Sequence, residues 1–101
     1  MTKLMVFLTK RADLSREEFR RYWREVHGPL GAKMPGVRRY VQNHGIADGA
    51  PFDGVAEMWF DDMAALQAAF ASPEGAAAAA DVPNLLAGTQ MMVVEEVAVI
   101  D

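Results

Sequence analysis

The hydrophobic pattern of these 101 residues predicts an α+β fold in the order β-α-β-β-α-β, a four-stranded antiparallel sheet with two helices on one face. Three observations predict it. Short apolar or alternating runs occupy residues 3–9, 37–46, 53–60 and 89–100. Two stretches with helical spacing, each opened by a capping residue, fall after the first and the third of these runs. Turn-forming pairs, Gly28-Pro29, Pro35-Gly36, Asp48-Gly49 and Ser72-Pro73, punctuate the segments between them.

The first strand, residues 3–9, carries Leu4, Val6 and Leu8 on one side and Met5 and Phe7 on the other, so both faces are apolar. Ser15 and Glu18 then have capping-box spacing, with Leu14 and Phe19 at the staple positions. The helix they open presents Phe19, Tyr22, Trp23 and Val26 as its buried stripe, and Gly28-Pro29 is expected to end it, leaving His27 at its C-terminus. Residues 30–34 add a further helical turn that Pro35-Gly36 stops. In the second strand, residues 37–46, Tyr40, Gln42 and His44 share one face, opposite Arg39, Val41 and Asn43. A polar hairpin loop leads to the third, where Asp53, Val55, Glu57 and Trp59 oppose Gly54, Ala56, Met58 and Phe60. Asp61 or Asp62 caps the second helix, which Ser72-Pro73 breaks, and the alanines at 76–80 are helix-prone without further information. The last strand is expected over residues 89–100, interrupted by Glu95-Glu96.

A chain of this length forms one domain, residues 1–101. Two helices can cover only one sheet face, yet strands one, three and four are apolar on both, so a twofold homodimer with sheet against sheet is expected. The net charge of −4, and glutamates interleaved among the arginines at 20, 21, 24, 38 and 39, exclude a phosphate-binding stripe and speak against nucleic acid as a partner. No cysteine is present, which removes disulfides and thiolate chemistry. The apolar run at residues 4–8 is shorter than the roughly 7–15 residues of a secretory core, and no window reaches the roughly 18 of a membrane span. A cytoplasmic location and no membrane partner are the expectations.

The motif F-x-x-Y-W-x-x-x-H-G-P at residues 19–29, P-G-x-x-x-Y-V-Q-N at 35–43 and D-G-V-A-E-M-W-F-D-D at 53–62, with Ser72-Pro73 and Asp81 downstream, resembles the EthD domain family. The resemblance spans nearly the whole chain and implies a ferredoxin-like fold of the dimeric α+β barrel superfamily. Members of that family include proteins encoded with ether-degrading oxygenase systems and small cofactor-free enzymes acting on lactones or aromatic polyketide-type compounds. Related barrels include monooxygenases and haem binders. Some enzymatic relatives employ a cysteine near the site, which this chain lacks.

His27 is the first candidate for chemistry, because imidazole both takes and gives a proton near neutral pH. It also matches the family's H-G-P position, and its plainer role is that of a helix-terminal histidine favoured by the macrodipole. Tyr40 is a candidate oxyanion donor or, alternatively, an ordinary strand aromatic. Glu57, in mid-strand between apolar neighbours, is a candidate acid or base with a raised pKa; the alternative is an ion pair with Arg38 or Arg39, or a dimer contact. His44, about 13 Å along the strand from Tyr40, is expected at the rim of a pocket. Trp23, Tyr22 and Trp59 are read as an aromatic wall for a planar ligand or as plain core, Asp81 as shaping the cavity or capping a turn, and Asp61 and Asp62 as caps alone.

No spacing of the two histidines suits a metal, and no Gly-rich phosphate loop is present. The resemblance, with His27 as the acid/base candidate, implies a cofactor-independent enzyme performing proton transfer, isomerisation, cyclisation or decarboxylation on a carbonyl-containing aromatic or lactone. A non-catalytic small-molecule binder or accessory of an oxygenase pathway is the second reading, and haem binding the third.

Overall fold

The first strand, apolar on both faces, lies inside the sheet in the computed structural model, which describes residues 1–101. This strand, β1 (Thr2–Lys10), pairs antiparallel with β3 (Gly54–Phe60) and with β4 (Leu86–Val94), and β2 (Arg39–His44) joins β3, giving the order β2-β3-β1-β4. The fold is the α+β arrangement expected. Register sets Leu4, Val6 and Leu8 opposite Met58, Ala56 and Gly54 on the inner face, and Lys3, Met5 and Phe7 opposite Trp59, Glu57 and Val55 on the outer. Inner-face residues share one core with Phe19 and Trp23 of the first helix and with Leu66, Ala69 and Ala78 of the second helical region.

Helix α1 (Arg16–Tyr22) begins at the full capping box: the Ser15 hydroxyl accepts from the Glu18 amide, and the Glu18 carboxylate accepts from the Ser15 amide. Gly28-Pro29 does not end it. The helix widens into a π turn over Trp23–His27, where the Gly28 amide donates to the carbonyl of Trp23 five residues back, and continues as α2 (Gly28–Ala32). Pro29 is tolerated because it stands in the first turn after the π turn, where a missing N–H costs least. The chain is stopped later by Pro35-Gly36, with Gly36 at φ 83°.

The extra residue in that turn changes which side chains face inward. In a regular helix each residue advances about 100°, so Val26, seven after Phe19, would lie on the buried line. One inserted residue hands that direction to His27 and rotates Val26 outward, where it is 43% exposed. The expected stripe thus holds through Trp23 and fails at Val26.

Helix α3 (Met63–Ala71) is capped by Asp62, whose carboxylate accepts from the Ala65 amide; Asp61 pairs instead with Arg38, so it is not a cap. Ser72 both ends α3 and caps α4 (Pro73–Asp81), so the alanine tract forms a helix with Pro73 in its first turn. Strand β4 starts earlier and ends earlier than expected. It runs through Gly88, which lies on an edge with open space around it, and stops before Glu95-Glu96. Strand β2 is likewise shorter than residues 37–46.

Gly54 makes room for the indole of Trp23: a methyl group there would lie 2.6 Å from Cζ3 and 3.0 Å from Cη2. Trp23 is fully buried and cannot retreat without disturbing Phe19 and the π turn. We predict that Gly54→Ala costs about 1–3 kcal/mol as an overpacked core. At several degrees of Tm per kcal/mol for a domain of this size, thermal denaturation should register it; an unchanged Tm would show that the indole moves freely.

Candidate functional site

Between the helices and the inner face of the sheet lies an apolar cavity of about 180 Å³. Its walls include Val6 and Leu8 from β1, Ala56 and Met58 from β3, and Ala78 and Val82 beyond α3. The side chains His27 and Tyr40 bring polar atoms to this lining. Tyr40 is half-buried on β2 and packs its ring over Gly31, where a methyl group would approach Cε2 to 3.1 Å. Its hydroxyl has no hydrogen-bond partner within the chain and is not a buried orphan, so it is open to a ligand.

His27 is fixed from behind. Its Nδ1 lies 2.9 Å from Oδ2 of Asp81, the last residue of α4. Tyr22 donates its hydroxyl to Oδ1 of the same carboxylate at 2.6 Å, and Asn84 donates its amide to it at 3.0 Å. Burial alone would raise the Asp81 carboxyl, but the hydrogen bonds from Tyr22, Asn84 and His27 outweigh it and hold it below the usual range. A carboxylate at a helix C-terminus gains nothing from the macrodipole, so these donors keep it ionised. The Tyr22 phenol is correspondingly raised by its bond to Asp81 and by burial. Because an ionised carboxylate only accepts, Nδ1 of His27 must be the donor, and Nε2 has no partner within the chain. In the neutral ring that nitrogen carries the lone pair.

The π turn is pinned from β2. Gln42 donates its side-chain amide to the carbonyl of Trp23 at 2.9 Å, the carbonyl that also accepts from Gly28. Gly28 is required for this approach, since a methyl group there would stand 2.4 Å from Nε2 of Gln42. Tyr22 and His27 are five residues apart, a spacing that a regular helix splays and the π turn brings to one carboxylate. That geometry had no sequence signal beyond the presence of Gly28-Pro29.

The EthD domain family matches residues 11–89. The chain belongs to the EthD family. It is 37% identical over 73 residues to an uncharacterized 11.0 kDa protein in the thcB-thcC intergenic region of Rhodococcus erythropolis, covering 69% of this chain and 71% of that one. Among solved structures, an EthD family protein of Bacillus halodurans superposes with a TM-score of 0.83 at 27% identity, covering 96% of this chain and 99% of the other. A dimeric protein of unknown function with a ferredoxin-like fold from Bacteroides fragilis superposes at 0.75 with 17% identity, covering 94% and 95%.

The remaining sequence candidates of this EthD protein stand elsewhere. Glu57 lies on the outer face, away from His27, ion-paired with Lys3 and accepting from Asn43 at 2.8 Å. The hydrogen bond from Lys3, then that from Asn43, lowers its pKa, the opposite of the expected direction, and the cation is Lys3 rather than Arg38 or Arg39. Trp59 is also on the outer face, with Lys3 and Arg39 each 4.7 Å from its ring centroid, so it forms no wall with Trp23. Asp81 is not a cavity wall but the partner behind His27. No three His, Asp or Glu side chains converge as metal ligands would, and no helix is long and apolar enough to cross a membrane.

His44 is not at the pocket rim. Its ring packs on Trp23 with centroids 4.6 Å apart, Nδ1 accepts from Nε of Arg20 at 3.3 Å, and Nε2 faces Oε1 of Gln42 at 2.9 Å. Burial, then the charges of Arg20 and Arg24, lowers its pKa. Neutral His44 therefore orients the glutamine that pins the π turn. A histidine depressed in the folded state adds stability that is full above the unfolded value of about 6.5 and is lost as pH falls below it. Unfolding free energies from urea titrations between pH 7.5 and 5 should fall with pH in the native protein, His44 contributing no more than about 1.4 kcal/mol per pH unit. In His44→Asn the slope should be shallower, and an equal slope would remove His44 as its source.

Proposed function

We propose that this EthD protein is a cofactor-independent acid/base enzyme acting on a small carbonyl-containing aromatic or lactone. The observation that carries the reading is His27, held at Nδ1 by an ionised Asp81 while its ring lines an apolar cavity. In the reaction, Nε2 takes a proton from the carbon beside the substrate carbonyl. The C–H electron pair moves into the carbonyl to give an enolate, and the proton resides on the imidazole. Tyr40 donates a hydrogen bond to the enolate oxygen, and the imidazolium returns the proton at the same or a conjugated carbon, giving exchange or isomerisation. The apolar lining of the cavity strengthens both interactions. Asp81 stabilises the imidazolium without itself taking the proton, and Tyr22 and Asn84 keep it ionised.

The second reading, a binding or accessory role, is favoured by the mainly apolar lining, which can hold a hydrophobic ligand without transforming it. Both readings go with a homodimer. The outer face leaves Met5, Phe7, Val41 and Val55 half-buried, Lys3 is neutralised there by Glu57 and Glu96, and related structures are described as dimeric. An apolar face with its charges already paired suits burial against a second copy.

Deuterium exchange at the carbon beside the carbonyl, followed by NMR across a panel of aromatic ketones and lactones, separates the readings. His27→Ala should slow exchange by about 10²–10⁴-fold, and Asp81→Asn should slow it while ligand binding persists. No exchange by the native protein, with ligand still bound, leaves only the binding role. For the assembly, light scattering at micromolar concentration should give twice the chain mass of 11.1 kDa. Val55→Asp should halve it, whereas a native monomer ends the dimer proposal.

A further inference from the structure

The helix side of β2 carries Tyr40, Gln42 and His44, and each meets the facing helical segment at a different height. Tyr40 packs over Gly31 of α2, His44 packs on Trp23 and accepts from Arg20 of α1, and between them Gln42 donates to the carbonyl of Trp23. Ring packing has no strict direction, and Arg20 reaches His44 from the end of a long side chain, at 3.3 Å. The bond from Gln42 is shorter, directional and made to the backbone, at 2.9 Å. It is the contact that sets the height of the wide turn against the strand.

The orientation of the Gln42 amide is fixed from both ends. A guanidinium only donates, so Nδ1 of His44 accepts from Arg20, and in the neutral ring Nε2 carries the proton and donates to Oε1 of Gln42. The amide nitrogen is thereby turned to the Trp23 carbonyl, and a flip would set two oxygens against each other. That carbonyl also accepts from Gly28, so it belongs to the turn that delivers His27. Tyr40 stands two residues from Gln42 on the same strand face. One strand carries both the hydroxyl at the cavity and the amide that decides where the imidazole enters it.

We infer that Gln42 is a positioning residue of the site: through the Trp23 carbonyl it holds the wide turn where His27 and Tyr40 face one cavity, a role that rests on the proposed pairing of His27 as base with Tyr40 as donor. Gln42 does not itself line the cavity. Its loss leaves the apolar walls, and with them ligand affinity, in place while the imidazole shifts. A misplacement of about 1 Å costs up to about 10²-fold in rate. Binding and turnover therefore part company at this residue.

Two substitutions in the full chain test this. Gln42→Met keeps the length of the side chain and removes the donor. Exchange across the panel of aromatic ketones and lactones should fall about 10–10²-fold, with affinity for acetophenone within about twofold of native. The hydrogen-bonded Nδ1 proton of His27, followed by NMR without ligand, should shift or vanish. Gln42→Glu keeps the shape and makes the donor depend on pH. Ionised, it sets an oxygen against the Trp23 carbonyl; protonated, its O–H replaces the amide while its other oxygen accepts from His44 as before. His44 and, behind it, Arg20 are the titratable and charged groups facing this position, and Ala56 across on β3 carries none. With an ordinary glutamate value of about 4.3, the rate of Gln42→Glu as a fraction of native at the same pH should rise several-fold from pH 8 to pH 5. Recovery in one polypeptide also decides the matter should Gln42→Met fail to fold. Gln42→Met with native rate and native Nδ1 proton, or Gln42→Glu with an equal deficit at pH 8 and pH 5, overturns the inference. Native exchange that depends on His27 but is indifferent to Gln42 refutes the positioning role alone; an Nδ1 proton that follows Gln42 in a protein without exchange refutes the acid/base reading alone.

Discussion

The carbonyl of Trp23 is the point on which the site turns. It accepts from the Gly28 amide across a π turn and from the side chain of Gln42 on the adjacent strand. A wide turn is a less regular state of a helix, so something must select it. Here a strand residue supplies a second hydrogen bond, a glycine supplies the space for it, and a proline two residues beyond His27 weakens the competing regular ladder. The outcome is a rotation of about 100° in everything that follows, which turns an imidazole inward and a valine outward.

From that rotation the electrostatics follow. Tyr22 precedes the wide turn and His27 ends it, and both reach one carboxylate at the end of α4. An aspartate at the negative end of a helix is poorly placed unless donors surround it, and three do. Its charge then selects the tautomer of His27. The sheet separates this arrangement from a different polar group, Lys3 with Glu57 and Glu96, which lies on the other side of one strand layer. One face carries the histidine and its apolar cavity, the other the paired charges.

Much of the fold was legible because it depends on local pattern. Capping at Ser15, the alternation in β3 and the two apolar faces of β1 are all properties of neighbouring residues, and they carry the order of elements along the chain and the interior place of β1. His27 and Tyr40 were legible as residue types in a suggestive order. Their relation to Asp81 and Tyr22 was not, because it depends on a departure from the 3.6-residue period that no propensity encodes. Glu57 was misread for a related reason: an apolar run on one strand does not reveal that Lys3 stands beside it on the next, and the cation lowered a pKa that isolation would have raised. His44 went astray because its role is to hold Gln42, a contact between two residues of one strand whose purpose lies on a helix.

The wide turn also bears on how relatives are to be compared. A π turn adds a single residue to a regular one, so losing one position between Trp23 and His27 would restore an unbroken helix and still set the imidazole seven residues after Phe19, on the buried line. Identity at the histidine then does not by itself report the wide turn. Alignments anchored on Phe19 and on Gly28 differ by one position in such a case, and the count of residues between those two anchors tells which members of the family have room for the wide turn.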